Sequence, residues 1–250
     1  VIDEAKNPSS RHPFKGNMDI DKLTAFIEQT GPRNIPFGLI TVTNNAGGGQ
    51  PVSMENIKAV AEVYHRYDLP FFIDACRYAE NAHFIRAREP GYADRTPQEI
   101  AREMFSVADG CTMSAKKDAL VNMGGFLSVR DAALAEACIN LLIITEGFTT
   151  YGGLSGRDME AIAIGLQEVF DPHYLDYRIK STTFVGRKLH ELGVPLMRPI
   201  GGHAVYIDAK ALYPHIPPDQ HPGQALVCEL LCTGADAARG RRCTVTPDAS

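Results

Sequence analysis

Three short stretches hold the side chains that can do chemistry. Ser114-Ala115-Lys116-Lys117-Asp118 places a hydroxyl, adjacent lysines and an acid between apolar runs at Gly110 to Met113 and Phe126 to Val129. Asp74-Ala75-Cys76-Arg77 follows directly on Phe71-Phe72-Ile73. Asn44-Asn45-Ala46-Gly47-Gly48-Gly49 follows Phe37 to Thr43, and its glycines permit close backbone approach to a ligand. Each stretch begins where a buried strand is expected to end, and open α/β sheets bind ligands at the carboxyl ends of their strands. If the three strands are parallel neighbours, an amide, a carboxylate, a guanidinium and a lysine converge on one edge of the sheet.

Each residue alone has a plainer reading. Adjacent lysines are commonly a solvated surface pair, Asp74 could cap the helix that follows it, and Arg77 could pair with Glu80. The asparagines and glycines could form only a turn. The glycine loop fits neither a Gly-x-Gly-x-x-Gly nor a Walker pattern, so a dinucleotide or nucleoside triphosphate is poorly supported. Ser114-x-x-Lys117 matches the Ser-x-x-Lys of penicillin-binding enzymes, but their Ser-Asp-Asn and Lys-Thr-Gly partners are absent.

Together the strand ends favour a cofactor. A carboxylate facing a cationic ring nitrogen, with an imine-forming lysine nearby, is the set pyridoxal phosphate requires. Asp74 would keep the pyridine nitrogen protonated, so that the ring accepts the electron pair of a substrate carbanion. Lys117 would hold the aldehyde as an imine. The charge of Lys116 is expected to lower the pKa of Lys117, because neighbouring ammonium groups disfavour each other. Ser114 would donate to the cofactor phosphate.

These groups need elements to position them. Met18, Leu23, Phe26 and Ile27 recur at helical spacing before the stop signal Gly31-Pro32. Ser53 is a plausible N-cap for a helix carrying Ile57, Val60, Ala61 and Tyr64. With the strands around it, this helix makes a βαβ crossover. Tyr78 to about Arg88 reads as helix, and Thr96-Pro97-Gln98-Glu99 is a capping box with proline at the first helical position. Phe126 to Val129 is a fourth strand, and Asp131 caps an Ala- and Leu-rich helix. A Gly-rich loop at Glu146 to Asp158 precedes another helix, and a long helix runs from Tyr174 to Leu192. Gly201-Gly202-His203 precedes an expected strand at Ala204 to Ile207. From Thr233 onward periodicity vanishes, which predicts a disordered tail.

Composition narrows the classes. A net charge of −5 gives no footprint for nucleic acid or an anionic membrane. No apolar run approaches the roughly 18 residues of a membrane span, and the first residues lack the order of a signal peptide. The 6 cysteines include no Cys-x-x-Cys, and Cys228 and Cys232 lack further zinc ligands. Free thiols in a cytoplasmic protein are expected.

Longer motifs carry a resemblance. Gly48 to Met54 (Gly-Gly-Gln-Pro-Val-Ser-Met), Asp74 to Ala82 (Asp-Ala-Cys-Arg-Tyr-Ala-Glu-Asn-Ala) and Met113 to Asp118 (Met-Ser-Ala-Lys-Lys-Asp) resemble the tryptophanase and tyrosine phenol-lyase family. Tyr-Gly-Gly-Leu at Tyr151 and Gly-Gly-His-Ala at Gly201 extend the likeness, which covers about Ile2 to Leu231. The resemblance implies the fold-type I, aspartate aminotransferase-like α/β architecture, with pyridoxal phosphate at a dimer interface of a homotetramer. It implies a carbon–carbon lyase, which by β-elimination turns tyrosine into phenol or tryptophan into indole, with pyruvate and ammonia. Lys117 matches the Schiff-base lysine and Asp74 the partner of the pyridinium nitrogen. Arg77 and Asn45 match groups near the phenolic oxygen, with Asn44 an adjacent candidate. Ser114 and Lys116 match the phosphate side. Asn122 matches a residue whose carbonyl helps bind an activating potassium ion, and Tyr151 and His203 match active-site surroundings.

The expected organisation is a large pyridoxal-phosphate domain over residues 1–190, the start of a small α/β domain over 191–232, and a disordered or frameshifted tail over 233–250. A partial chain is expected. The family's phosphate-binding Gly-Arg loop and ring-protonating tyrosine would precede Val1, and its carboxylate-binding arginine would follow Ser250. Motifs divide between the tyrosine and tryptophan enzymes. Alternative readings are a threonine-aldolase-like or other β-eliminating lyase, or a catalytically inactive fragment.

Overall fold

The runs that sequence marks as buried strands pair as one sheet. A computed structural model describes residues 1–148 and 153–238, with side chains placed as far as 234. The strands are β1 (Gly38–Thr41), β2 (Phe71–Asp74), β3 (Gly110–Ser114) and β4 (Gly125–Val129), and their order across the sheet is their order in the chain. β1 pairs parallel with β2, and β2 with β3, whereas β4 returns antiparallel beside β3. Thr41 stands opposite Asp74, and Asp74 opposite Thr112, so the carboxyl ends of the three parallel strands lie side by side.

The helices follow their caps. α1 (Ile20–Thr30) starts at Asp19, whose side chain accepts from the Lys22 amide, and stops at Gly31, whose φ of 82° is in the left-handed region. α2 (Met54–Arg66) is capped by Ser53, and α3 (Tyr78–Arg88) begins immediately after Arg77. α4 (Pro97–Ser106) carries the predicted capping box, with Thr96 and Glu99 each bonding the other's backbone. It also presents Glu103, which accepts from Tyr92 Oη at 2.8 Å and pairs with Lys58 at 2.6 Å and with Arg95. Asp131 caps α5 (Ala132–Thr145), Ser155 caps α6 (Gly156–Glu168) and Asp171 caps α7 (Pro172–Glu191).

The core lies between the sheet and α2, α3 and α4. Phe71, Ile73, Ile57, Val60, Ile85, Ile100 and Met104 are fully buried in it. Each such side chain contributes about 1.5–3 kcal/mol on leaving water. Gly165 of α6 fits against the turn after β3 because it lacks a Cβ, which would stand 1.8 Å from the Ala119 carbonyl oxygen.

Two expectations need correction. Ala204 to Ile207 is not a strand; Ile207 makes only an isolated antiparallel bridge with Leu196. Its β-forming residues find no longer partner strand, and pairing needs one. The tail expected from Thr233 is helical as far as Ala238, within α9 (Pro222–Ala238), which follows the short α8 (Ala209–Leu212). Alanines at 235, 237 and 238 favour helix even without an apolar stripe. Residues 239–250 and 149–152 lie outside the described residues, and with them part of the predicted Gly-rich loop. Among the described residues no helix is long and apolar enough to cross a membrane, and all the cysteines are free.

Candidate active site

The Asp74–Arg77 turn is stitched to both neighbouring strands. Val42 N–H donates to Asp74 O at 3.0 Å, Arg77 N–H to Val42 O at 3.0 Å, and Ala75 N–H to Thr112 O at 2.9 Å. Asp74 therefore sits at the centre of the sheet's carboxyl edge, half-buried, its Oδ1 accepting from Cys76 N–H at 3.3 Å. It lines a cleft of about 400 Å³ together with Thr41, Asn44, Asn45 and Ala46. Arg77 does not pair with Glu80. Its Nη1 contacts Cys76 Sγ at 3.7 Å, and its buried Nε has no hydrogen-bond partner. Burial first, then the Asp74 charge, push the Cys76 thiol up to about 11, so this cysteine is a protonated filler rather than a nucleophile.

The lysine stretch is a tight turn leaving β3. Lys117 N–H donates to Ser114 O at 3.4 Å and Leu120 N–H to Lys117 O at 3.0 Å, and Ala115 N–H ties the turn to Gly124 O at 3.0 Å. Lys117, half-buried, donates from Nζ to Ser114 Oγ at 2.7 Å, which leaves the serine's own proton free to donate elsewhere. Lys116 points to solvent.

The two asparagines separate by partner. Asn44 uses its Oδ1 to accept from Gly47 N–H at 2.9 Å, and its backbone bridges to Gln50, so it builds the loop. Asn45 is the one turned outward. Its Oδ1 accepts from His203 Nε2 at 2.9 Å and from Tyr206 Oη at 3.2 Å. The His203 segment reaches it by backbone contact between glycines. Gly202 N–H donates to Gly49 O at 3.2 Å, and Gly49 takes a φ of 68°. A Cβ on Gly202 would stand 2.3 Å from Glu80 Oε2.

Beneath this floor lies a buried ionic cluster. Glu80 and Asp118 are fully buried, and both pair with the Arg178 guanidinium of α7, Asp118 Oδ1 at 3.2 Å from Nη1. His203 Nδ1 lies 3.8 Å from Glu80 Oε2. Burial and the adjacent Glu80 charge push the Asp118 carboxyl up to about 7, against the pull of Arg178 and two backbone N–H groups. The same carboxylates raise the Arg178 pKa in spite of burial, which opposes the charge most strongly.

A family model described as beta-eliminating lyase matches residues 2–235. The chain belongs to the beta-eliminating lyase family. A tryptophanase of Salinibacter ruber is 58% identical over 234 residues, covering 94% of this chain and 50% of that protein. A tyrosine phenol-lyase of Intrasporangium calvum is 52% identical over 231 residues, covering 92% of this chain and 49% of that protein. The chain thus spans about half the length of the curated relatives it matches. In fold it is similar to a crystal structure of the SepCysS-SepCysE N-terminal domain complex, with a TM-score of 0.53 and 15% identity over 90% of this chain and 57% of that one.

Within this lyase fold, Asn45, Asp74, Arg77, Ser114 and Lys117 all stand at the carboxyl edge of the parallel strands. Asn122 is exposed in the bend before β4. Tyr151 lies outside the described residues. Sequence reasoning marked Asp118 as the acid beside the lysines but gave it no role, and it passed over Arg178, which lies 60 residues further on and carried no signal.

Proposed function

We propose that this chain supplies the pyridoxal-phosphate floor of a lyase that removes the ring of tryptophan or tyrosine by β-elimination, giving indole or phenol with pyruvate and ammonia. The observation that carries the reading is the buried, unpartnered Nε of Arg77 beside Asp74, on the sheet edge that also bears Lys117. A buried donor without a partner is costly, and an acceptor on a ligand would satisfy it. The donor set also fits the cofactor's parts: an amine for its aldehyde, a carboxylate for its ring nitrogen and a hydroxyl for its phosphate.

Lys117 Nζ would hold the aldehyde, and its amine, when free, would take the proton from the substrate α-carbon. Asp74, with Oδ1 held by Cys76 N–H, would keep a proton on the ring nitrogen through Oδ2. When bound, pyridoxal phosphate supplies an electron sink for the charge left at the α-carbon. Arg77 and Asn45 would hold the phenolic oxygen, with His203 and Tyr206 keeping the Asn45 amide in place. Ser114 and Lys116 would face the phosphate, and the Asn122 carbonyl would be one ligand of an activating potassium ion. The whole enzyme would be a cytoplasmic homotetramer, a dimer of dimers, consistent with the free thiols.

Borohydride reduction in the presence of pyridoxal phosphate, followed by peptide mapping, tests the assignment. The reduced adduct is expected on Lys117 and lost in Lys117→Ala; an adduct mainly on another lysine overturns it. Release of indole from tryptophan against phenol from tyrosine, measured with pyruvate, then decides the substrate.

A further inference from the structure

The first turn of α3 is capped from outside its own sequence. Its N-cap residue is Arg77, whose side chain has no acceptor and makes no cap hydrogen bond. The missing acceptor comes from Asp118, 39 residues downstream of Ala79, whose Oδ2 accepts from Ala79 N–H at 2.8 Å and from Glu80 N–H at 3.3 Å. Asp118 N–H in turn donates to Cys76 O at 3.2 Å, and Arg178 holds its other oxygen. A single fully buried residue thus grips the Asp74–Arg77 turn at Cys76 O and the first turn of α3 at Ala79 N and Glu80 N.

We propose that Asp118 is a positioning residue, which docks the Lys117 turn onto the start of α3 and so fixes the lysine's place against Asp74 and Arg77. The division of labour has a physical cause. A site that needs a guanidinium at the N-cap position cannot also use that side chain to satisfy the helix, so the cap is moved to the partner turn. Because Asp118 is the very next residue after Lys117, the cap cannot shift without carrying the amine with it. Lys116, on the other side of Lys117, is the amine nearest in sequence to take its place if the turn slips.

This inference rests on Lys117 being the residue that bonds the cofactor, and its test keeps the two apart. The chain is incubated with pyridoxal phosphate, reduced with borohydride and mapped, and the ratio of adduct on Lys117 to adduct on Lys116 is measured. Folding is checked in parallel by circular dichroism. In the unaltered chain at least about tenfold preference for Lys117 is expected. Asp118→Asn keeps an acceptor for Ala79 and Glu80 and retains that preference, whereas folded Asp118→Ala loses it and the ratio moves towards one. An unfolded fraction would label both lysines alike, so the ratio is read only under conditions where circular dichroism shows the variant as folded as the unaltered chain. If Asp118→Ala does not fold, Asp118→Ser, whose shorter side chain cannot reach both amides, carries the same expectation. An unchanged ratio in the folded variant overturns the positioning role and leaves the lysine assignment intact. An adduct elsewhere in the unaltered chain overturns the assignment, and the positioning role with it.

Discussion

Replacing Arg178 by methionine removes the one cation, among the described residues, that pairs with both buried carboxylates of the cluster. Glu80 and Asp118 have no exposed side-chain surface, and the arginine side chain that pairs with them is itself only 20% exposed. Breaking a buried pair by deleting one partner costs about 3–5 kcal/mol, because the remaining charge is left without compensation. Against a typical stability of about 5–15 kcal/mol this is a large fraction. With a urea m-value of about 3 kcal/mol/M, the midpoint is expected to fall by about 1–2 M. The loss depends on pH in a definite sense. The Asp118 carboxyl is already raised from its ordinary 3.8 to about 7 by burial and Glu80, and removing Arg178 takes away the strongest opposing charge. A carboxyl whose folded pKa lies above its unfolded one binds more protons when folded, so its contribution falls as pH rises through that window. The deficit of Arg178→Met should therefore be smaller near pH 5 than near pH 8. Arg178→Lys keeps the charge but cannot fork onto both carboxylates, and should fall in between. Urea titrations at the two pH values check this. A deficit under about 1 kcal/mol at pH 8, or one equal at both pH values, would refute the view that the cluster is held by that single guanidinium.

Gly165→Ala reverses a familiar sign. Alanine for glycine inside a helix ordinarily gains about 0.5–1 kcal/mol, but here the new Cβ would meet the Ala119 carbonyl at 1.8 Å. A loss of about 1–3 kcal/mol from overpacking is expected by thermal or urea melting, with less cofactor bound at Lys117. Glu103 should govern a separate acid step. Burial opposes its charge, but hydrogen bonds from Lys58, Arg95 and Tyr92 prevail and hold its carboxyl down at about 2, below the ordinary 4.5. Its stabilisation is complete above about pH 4.5 and is lost as pH falls towards 2, so the Glu103→Gln chain should lack that part of the acid-unfolding curve.

Much of this was legible because its causes are local. Thr96 and Glu99 form their capping box within one turn, and Ser53 and Asp131 each cap a helix by accepting from an amide three residues on. Phe71-Phe72-Ile73 reads as a buried strand, and its end sets Asp74 at the edge of the sheet, as β2 does. Ala204 to Ile207 misled because β-propensity does not reveal how long a partner strand is, and here the pairing is confined to a short stretch around Leu196. The cluster was illegible because it depends on segments far apart. Arg178 on the long α7 looks like any helical arginine until the fold sets it against Glu80 and Asp118, and Glu80 looks like a surface acid on a helix of mixed small and polar residues.

The strand order has a consequence for how such a site is made. Since β1, β2, β3 and β4 lie across the sheet in the order in which they occur in the chain, each new strand finds its partner already in place as the polypeptide leaves the ribosome. The asparagine loop, the arginine turn and the lysine turn emerge in that same order, and the stretch from Asn44 to Asp118 needs only neighbouring crossovers to close. The His203 segment is the late arrival. Its contact with Asn45 spans 158 residues of chain, far more than the crossovers of the sheet, and so distant a closure is slow to form.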